Sequence, residues 1–345
     1  MEDSLLEKYE HKKSVQFKKN ERLNKLLFRL KLLLQPIQEN IENEFQNTKW
    51  PVGFVIGNTR SGTTLLTQWL AALGVFSYPS NFLTRFAYSP YIGALIQEML
   101  FNPIYDFHGD FSDIQSNINF QSDLGKSKGA LAVNEFQHFF RNKMNQTDPS
   151  YLDGEKLKSV DFEGIRKGFA SIEYVFGKPF ICKAAILKYN IKTLHDHVNS
   201  VFLYIKRKPV FNMQSLLLAR KKYYQDEEIW YGSKPKEYDS LIKMDIFHQI
   251  AGQVYFTNRH IQNELNIIDS QKQIHIDYEK FCETPKMYFD KIREVYKYSG
   301  YEIDQTYNGT SEFKVSNKIL LEKNIIDKFE KAYEYFVENY GELRF

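Results

Sequence analysis

Between Val52 and Gly74 the chain reads VGFVIGNTRSGTTLLTQWLAALG. An apolar run leads into Gly57-Asn58-Thr59-Arg60-Ser61-Gly62-Thr63-Thr64, and a helical pattern follows. Glycines let a backbone wrap closely round an anion. The free N–H groups that open the helix, and its dipole, add attraction for negative charge. Thr63 and Thr64 each offer a hydroxyl. The spacing from Gly57 to Gly62 is that of an ATP-binding loop, but Thr63 stands where such a loop carries lysine. The cation is Arg60, on the other side of the loop. A nucleoside triphosphate site also calls for a magnesium-binding Asp at the end of a neighbouring strand. The apolar run 201–206 ends instead in Lys206 and Arg207. The loop predicts phosphate contacts and gives little sign of a metal.

A second segment, VFLYIKRKPVFNMQSLLLAR, carries the same kind of chemistry. Arg207 stands at a strand end, Pro209 suits a first helical turn, and Ser215 follows Arg207 by eight residues inside the helix. TRSGTTLL resembles the 5′-phosphosulfate loop of sulfotransferases that use 3′-phosphoadenosine 5′-phosphosulfate (PAPS). The Arg207–Ser215 segment resembles the 3′-phosphate site of the same family. The resemblance implies a P-loop-NTPase-like, three-layer α/β fold and PAPS as sulfate donor, with no metal. It implies that Arg60 neutralises the phosphosulfate, that Ser61, Gly62, Thr63 and Thr64 cradle it, and that Arg207 and Ser215 hold the 3′-phosphate. Three further segments extend it over most of the chain after residue 50. PFICKAA resembles the strand that ends in a lysine near the transferred group, here Lys183. IHIDYEKFCETP matches a structural strand-plus-YE segment at Tyr278 and Glu279. VSNKIL resembles the piece that closes over the 3′-phosphate, offering Ser316 and Lys318.

Sulfuryl transfer also needs a base to take the acceptor proton. The family's histidine two residues after the strand-end lysine is Ala185 here, and YPSNFLTRF lacks the acid of another branch. VNEFQHFFRNKM offers Glu135 first and His138 second, three residues apart on one face of an expected helix. Phe136, Phe139 and Phe140 beside them are expected to raise a carboxylate's pKa; a plain Glu–Arg surface helix involving Arg141 is the competing reading. His195 and His197 in HDH lack the further ligands a zinc site needs and read as a surface turn. His108, between Asp106 and Asp110, is a weaker acceptor-pocket candidate. Trp230 either stacks on a ligand or is simply packed.

These residues need a scaffold that brings strand ends together. Apolar runs at 52–56, 179–182, 201–206 and 273–276 alternate with helical patterns at 62–73, 89–101, 130–144, 162–176, 209–220, 236–264 and 279–297. Such alternation predicts a parallel sheet covered on both faces, with ligands at the carboxyl ends of the strands. Residues 1–50 form a separate helical extension ahead of a domain at 51–345. Within it, Leu23, Leu26, Leu27, Leu30, Leu33 and Leu34 form a stripe opposite a Lys/Arg-rich face, and Pro36 is expected to end or kink the helix. Packing on its own domain or a dimer mate competes with a membrane-surface or partner role for residues 12–35.

The chain has 345 residues, 43% of them hydrophobic, enough for a sizeable core. A net charge of +3 gives no sign of a nucleic-acid binder, and two cysteines, Cys182 and Cys282, make no disulfide framework. No apolar stretch approaches a membrane span and the polar, acidic start is unlike a signal peptide, so a cytoplasmic location is expected. The acceptor is expected to be a hydroxyl or amine on a carbohydrate, lipid or small molecule, since arginine-type loops resemble carbohydrate, glycolipid and peptide branches. A P-loop kinase or other NTPase, and a non-catalytic nucleotide-binding protein, are the alternatives.

Overall fold

The computed structural model describes residues 8–106, 108–114, 118–145 and 148–343. Four strands, β1 (Val52–Gly57), β2 (Ile181–Lys183), β3 (Ser200–Lys206) and β4 (Gln273–Asp277), form an all-parallel sheet in the order β2-β1-β3-β4. The chain leaves β1 for β2 on one side, then returns past β1 to lay β3 on the other. That reversal opens a crevice between the carboxyl ends of β1 and β3. The register pairs Gly57 with Ile205, so the residues after β3 emerge beside the loop after β1.

The period-2 alternation of β1 divides the core between the two faces of the sheet. Val52, Phe54 and Ile56 pack into a cluster with Phe139, Phe169 and Phe180. Val55 points to the other face, among Leu66, Trp69, Leu70 and Phe289. Gly53 is required on that second face, because a Cβ there would collide with the Tyr296 hydroxyl. The helices are α1 (Glu21–Glu42), α2 (Thr63–Ala72), α3 (Pro90–Phe101), α4 (Gln137–Met144), α5 (Phe162–Phe176), α6 (Ile191–His197), α7 (Pro209–Tyr224), α8 (Ile246–Leu265), α9 (Pro285–Tyr298) and α10 (Lys323–Tyr340), with shorter turns between them. A third cluster joins α7, α8 and α10 through Met213, Ile250, Val254, Phe329 and Phe336.

The α/β class, the parallel sheet and all four strand positions agree with the sequence. Several helices differ. The pattern at 130–144 yields only α4, because Phe136 adopts a left-handed φ of 53° and its N–H donates back to Asn134 Oδ1 in a short local turn. The pattern at 236–264 breaks before α8, where Asp245 caps the new helix by accepting from the Phe247 and His248 N–H groups. The pattern at 279–297 breaks at Thr284, since Pro285 starts a fresh first turn. His195 and His197 lie in α6, not in a surface turn; His195 Nδ1 meets Ser200 Oγ at 3.0 Å.

In the N-terminal extension, α1 starts at Glu21 with Asn20 as its cap and runs through Pro36 to Glu42. Proline removes one donor to the carbonyl four residues back. Here that carbonyl belongs to exposed Leu32, where water can replace the lost bond. The leucine stripe divides: Leu23, Leu27, Leu30 and Leu34 are half-buried, whereas Leu26 and Leu33 are exposed. Residues before α1 lie across the end of α7, with Ser14 N donating to Tyr223 O at 2.9 Å. Phe17 is buried there, its ring 4.7 Å from that of Tyr223. None of the described helices is long and apolar enough to cross a membrane.

Phe169 contacts the rings of Phe54, Phe139, Phe140 and Phe180 and ties α4 and α5 to the sheet. Phe169→Ala should lower the stability measured by urea unfolding by about 3–5 kcal/mol. A loss below ~1 kcal/mol would show that the cluster does not hold the two helices.

Candidate functional site

A cavity of about 1600 Å³ opens at the carboxyl ends of the strands. Its floor is the loop after β1. Gly57 lies so close to β3 that a Cβ would sit 2.5 Å from the Ile205 carbonyl oxygen. Gly62 has a φ of 101° and rests on the Tyr278 ring, 2.5 Å from where its Cβ would be. Both glycines therefore hold the loop down against β3 and the helical turn after β4. The first N–H groups of α2 have no acceptor within the helix, and Thr63 and Thr64 at its start line the cavity.

The two expected phosphate motifs meet. Arg60 Nε donates to Ser215 Oγ at 3.0 Å, and Arg207 Nη1 donates to the Arg60 carbonyl at 3.3 Å. Asn212 Nδ2 donates to the Thr59 carbonyl at 2.6 Å, a third link between the loop and α7. Arg207 also donates through Nη2 to the Ser316 carbonyl at 2.7 Å and through Nε to Asn317 Oδ1 at 2.9 Å. Its guanidinium lies 4.9 Å from the Tyr278 ring centre. Tyr278 in turn shares a 2.7 Å hydrogen bond with Ser316 Oγ, and Glu279 accepts from Asn317 Nδ2. The 314–321 segment is pinned to α7 by Gln214, which donates to the Lys318 carbonyl at 2.9 Å and accepts from Leu320 N.

Some expected contacts fall differently. Ser61 is buried and its hydroxyl donates back to the Asn58 carbonyl at 2.9 Å, so its side chain braces the loop from within. The Ser215 hydroxyl, expected to hold a phosphate, accepts from Arg60. Lys318 is exposed and lies off the cavity, whose lining from that segment is Lys314 and Ser316. Trp230 lines the cavity but is almost wholly buried, 5.2 Å from the Arg220 guanidinium, with its indole N–H on the Ser233 carbonyl. His108 does not line the cavity. Among the described residues, no group of three or more His, Cys, Asp or Glu could hold a metal ion.

Lys183 ends β2 and points under the loop. Its Nζ donates to Thr64 Oγ1 at 2.7 Å and to Glu135 Oε1 at 2.9 Å. Gln137 donates to the other Glu135 oxygen. Gly125 covers the group so closely that a Cβ there would stand 3.3 Å from Thr64 Oγ1. Glu135 precedes α4 instead of sharing a helical face with His138, because the left-handed Phe136 separates them. Burial pushes the Glu135 carboxyl up, but Lys183, its hydrogen bond, the Gln137 bond and the charge of Lys188 outweigh it and hold the group below the usual range. The expected upward shift from the phenylalanines is thus reversed: they fill the cluster behind the carboxylate while the cations face it. The Glu135 side chain keeps 31% of its surface open, enough to meet a ligand in the cavity. His138 also faces the cavity and titrates below its ordinary value through burial, then the charges of Arg141 and Arg85.

Lys188 is the site residue that sequence patterns do not reveal. It is buried, donates to the Gly57 carbonyl at 3.3 Å, and stands beside Glu135 and Lys183. Burial lowers its pKa to about 7, against the pull of Glu135 and with the push of Lys183. Its only trace in the sequence is a lysine inside the apolar run KAAILKY.

No family model and no curated protein matches the sequence. Solved structures similar to this chain include the sulfotransferase STF9 from Mycobacterium avium, at 10% identity and a TM-score of 0.49 over 89% of this chain and 72% of that one. The sulfotransferase STF1 from Mycobacterium tuberculosis H37Rv aligns at 14% identity and a TM-score of 0.48, over 98% and 87% of the two chains. The sulfotransferase domain of the Synechococcus PCC 7002 olefin synthase aligns at 14% identity and 0.40, over 87% and 97%.

The buried lysine gives a pH signature. In the unfolded chain its amine titrates near 10.5, and in the folded one near 7. Between those values the unfolded chain binds the extra proton, so the burial penalty is full below about pH 7 and fades as pH rises toward 10.5. Lys188→Met should therefore raise the melting temperature most at and below neutral pH, with the gain shrinking by about pH 10. A gain that does not change with pH would show that the amine keeps its ordinary pKa.

Proposed function

We propose that this protein transfers a sulfuryl group from PAPS to a hydroxyl- or amine-bearing acceptor. The observation that supports this most is the placement of Lys183, which joins a hydroxyl of the phosphate loop to a carboxylate that opens on the cavity. A cation, an anion-binding loop and a proton acceptor converge at one point, as transfer between a phosphate and an acceptor requires.

In this reading Arg60, Thr63, Thr64 and the first N–H groups of α2 bind the phosphosulfate. Arg207 and Ser316 bind the 3′-phosphate, and Ser215 orients Arg60. Tyr278 and Asn317 hold Arg207 so that its fork keeps one orientation. Bound there, PAPS supplies an activated sulfur–oxygen bond that breaks as the acceptor oxygen attacks. Lys183 and Arg60 balance the charge that grows on the leaving phosphate. Lys188 supports the same charge from beneath the loop when protonated. Glu135 is ionised at neutral pH and takes the acceptor proton; His138, neutral there, is the other group able to do so. A cytoplasmic setting fits an enzyme supplied with a soluble nucleotide donor.

Thermal stabilisation by adenosine 3′,5′-bisphosphate, compared with ATP plus magnesium, tests the nucleotide. The bisphosphate should raise the melting temperature more, and Arg60→Ala and Arg207→Ala should each weaken its binding by about tenfold or more, the worth of a charge-assisted contact. A larger shift with magnesium-ATP would overturn the reading.

The base is tested by Glu135→Gln, which should spare bisphosphate binding and abolish transfer. With Glu135 as base, kcat/KM should not fall from pH 7 down to about pH 5, because the carboxyl stays ionised there while Lys188 gains its proton. A rate that already falls as pH drops through 6, together with an active Glu135→Gln enzyme, would move the role to His138.

A further inference from the structure

The hydrogen-bonded chain that starts at the phosphate loop does not stop at Glu135. Thr64 accepts from Lys183, Lys183 donates to Glu135, Gln137 donates to the other Glu135 oxygen, and Arg141 Nη2 donates to Gln137 Oε1 at 2.9 Å. The chain thus ends on a guanidinium in the cavity wall. Arg141 Nε is buried and has no hydrogen-bond partner among the described residues. An unpaired charged donor in such a place is costly. Arg85, on the turn Leu83–Phe86, lines the same cavity, and its side chain has no hydrogen bond or ion pair among the described residues. His138 lines the same cavity, and after burial the charges of both guanidiniums lower its pKa further, so each lies within electrostatic reach of the imidazole.

Among the described residues neither arginine forms an ion pair with a carboxylate of the cavity, although Asp148 and Glu135 act on Arg141 through their charge. The cavity's only lining carboxylates among the described residues are Glu135 and Asp148. Glu135 is taken by Lys183, and Asp148 pairs with Lys234 at 3.0 Å. The proposed donor occupies Arg60, Lys183 and Arg207, which among the described residues leaves Arg85 unpaired and Arg141 with only the charges of Asp148 and Glu135, neither bonded to it.

We propose that Arg85 and Arg141 form an anion-binding subsite that holds a carboxylate or phosphate group of the acceptor, so that the molecule receiving the sulfuryl group is itself acidic. Two guanidinium forks suit a planar or tetrahedral oxyanion. The link through Gln137 sets this group beside Glu135, where the acceptor hydroxyl meets the base. The assignment to the acceptor rests on the proposed sulfuryl transfer; the anion subsite itself does not.

The test reads the His138 ring signals by NMR, with adenosine 3′,5′-bisphosphate present at saturation and no turnover required. The probes are inorganic phosphate, glucuronate, glucose 6-phosphate and neutral glucose. Inorganic phosphate and at least one acidic sugar should shift the His138 signals saturably, and glucose should not. Arg141→Gln and Arg85→Gln should each weaken the response at least tenfold. Arg85 is exposed, so its variant keeps the test valid if the Arg141 variant fails to fold. The tighter sugar names the anionic group. An absent response, an undiminished one in Arg85→Gln, or equal shifts with glucose would overturn the subsite. A response to inorganic phosphate with neither acidic sugar seen would overturn its assignment to the acceptor. Bisphosphate binding, followed separately by thermal shift, tells a failure here from a failure of the donor reading.

Discussion

The parallel pairing of β1 with β3 is the constraint on which the site depends. Because Gly57 lies opposite Ile205, the loop after β1 and Arg207 after β3 leave the sheet at the same level. No loop flexibility is needed to bring them within hydrogen-bonding distance. The reversal of strand order at this pair leaves no crossover helix above the crevice, so the space is free for a ligand. A slip of one residue would turn each β3 side chain to the opposite face. The buried alternation on both faces of β1 resists such a slip, and core packing thereby sets the geometry of a polar site.

The loop itself is held from every side by groups that the ligand does not use. Val254 receives Asn58, α7 supplies Asn212 and Ser215, and the Tyr278 ring supports Gly62. Arg207 is likewise held in one orientation by Asn317, by the Ser316 carbonyl and by the tyrosine beneath it. Prepared donors of this sort lose little conformational freedom on binding. The cost is borne elsewhere, in buried cations such as Lys188 whose charged form the fold resists.

Much of this architecture is legible in the sequence, for definable reasons. The four strands announce themselves as short apolar runs, and the residues just after them are where α/β sheets bind ligands. Arg60, Thr63, Thr64 and Arg207 therefore stand out without a structure, and Lys183 does so through the sulfotransferase resemblance. Helical periodicity misleads where a single backbone feature overrides it: the left-handed Phe136, the Asp245 cap, the proline at 285. Glu135 stands out as well, but its environment does not, because its neighbours in sequence are phenylalanines while its neighbours in space are lysines. Lys188 and Asn317 act through contacts between distant segments, which one sequence does not display. The placement of Ser14 and Phe17 on the end of α7 is invisible for the same reason.

That last placement bears on how the molecule matures. Ser14 bonds to the backbone of Lys222, and Arg207 to Ser316, across separations of 208 and 109 residues. Residues made early on the ribosome must wait for a partner made much later, and of the segments that line the cavity the one around Ser316 arrives last. Contacts so distant in sequence form late in folding because closing long loops is slow. A chain in which the Ser316 segment is not yet in place therefore lacks part of the cavity wall. The cavity wall thus draws on segments from Lys13 to Ser316, nearly the whole span of the chain.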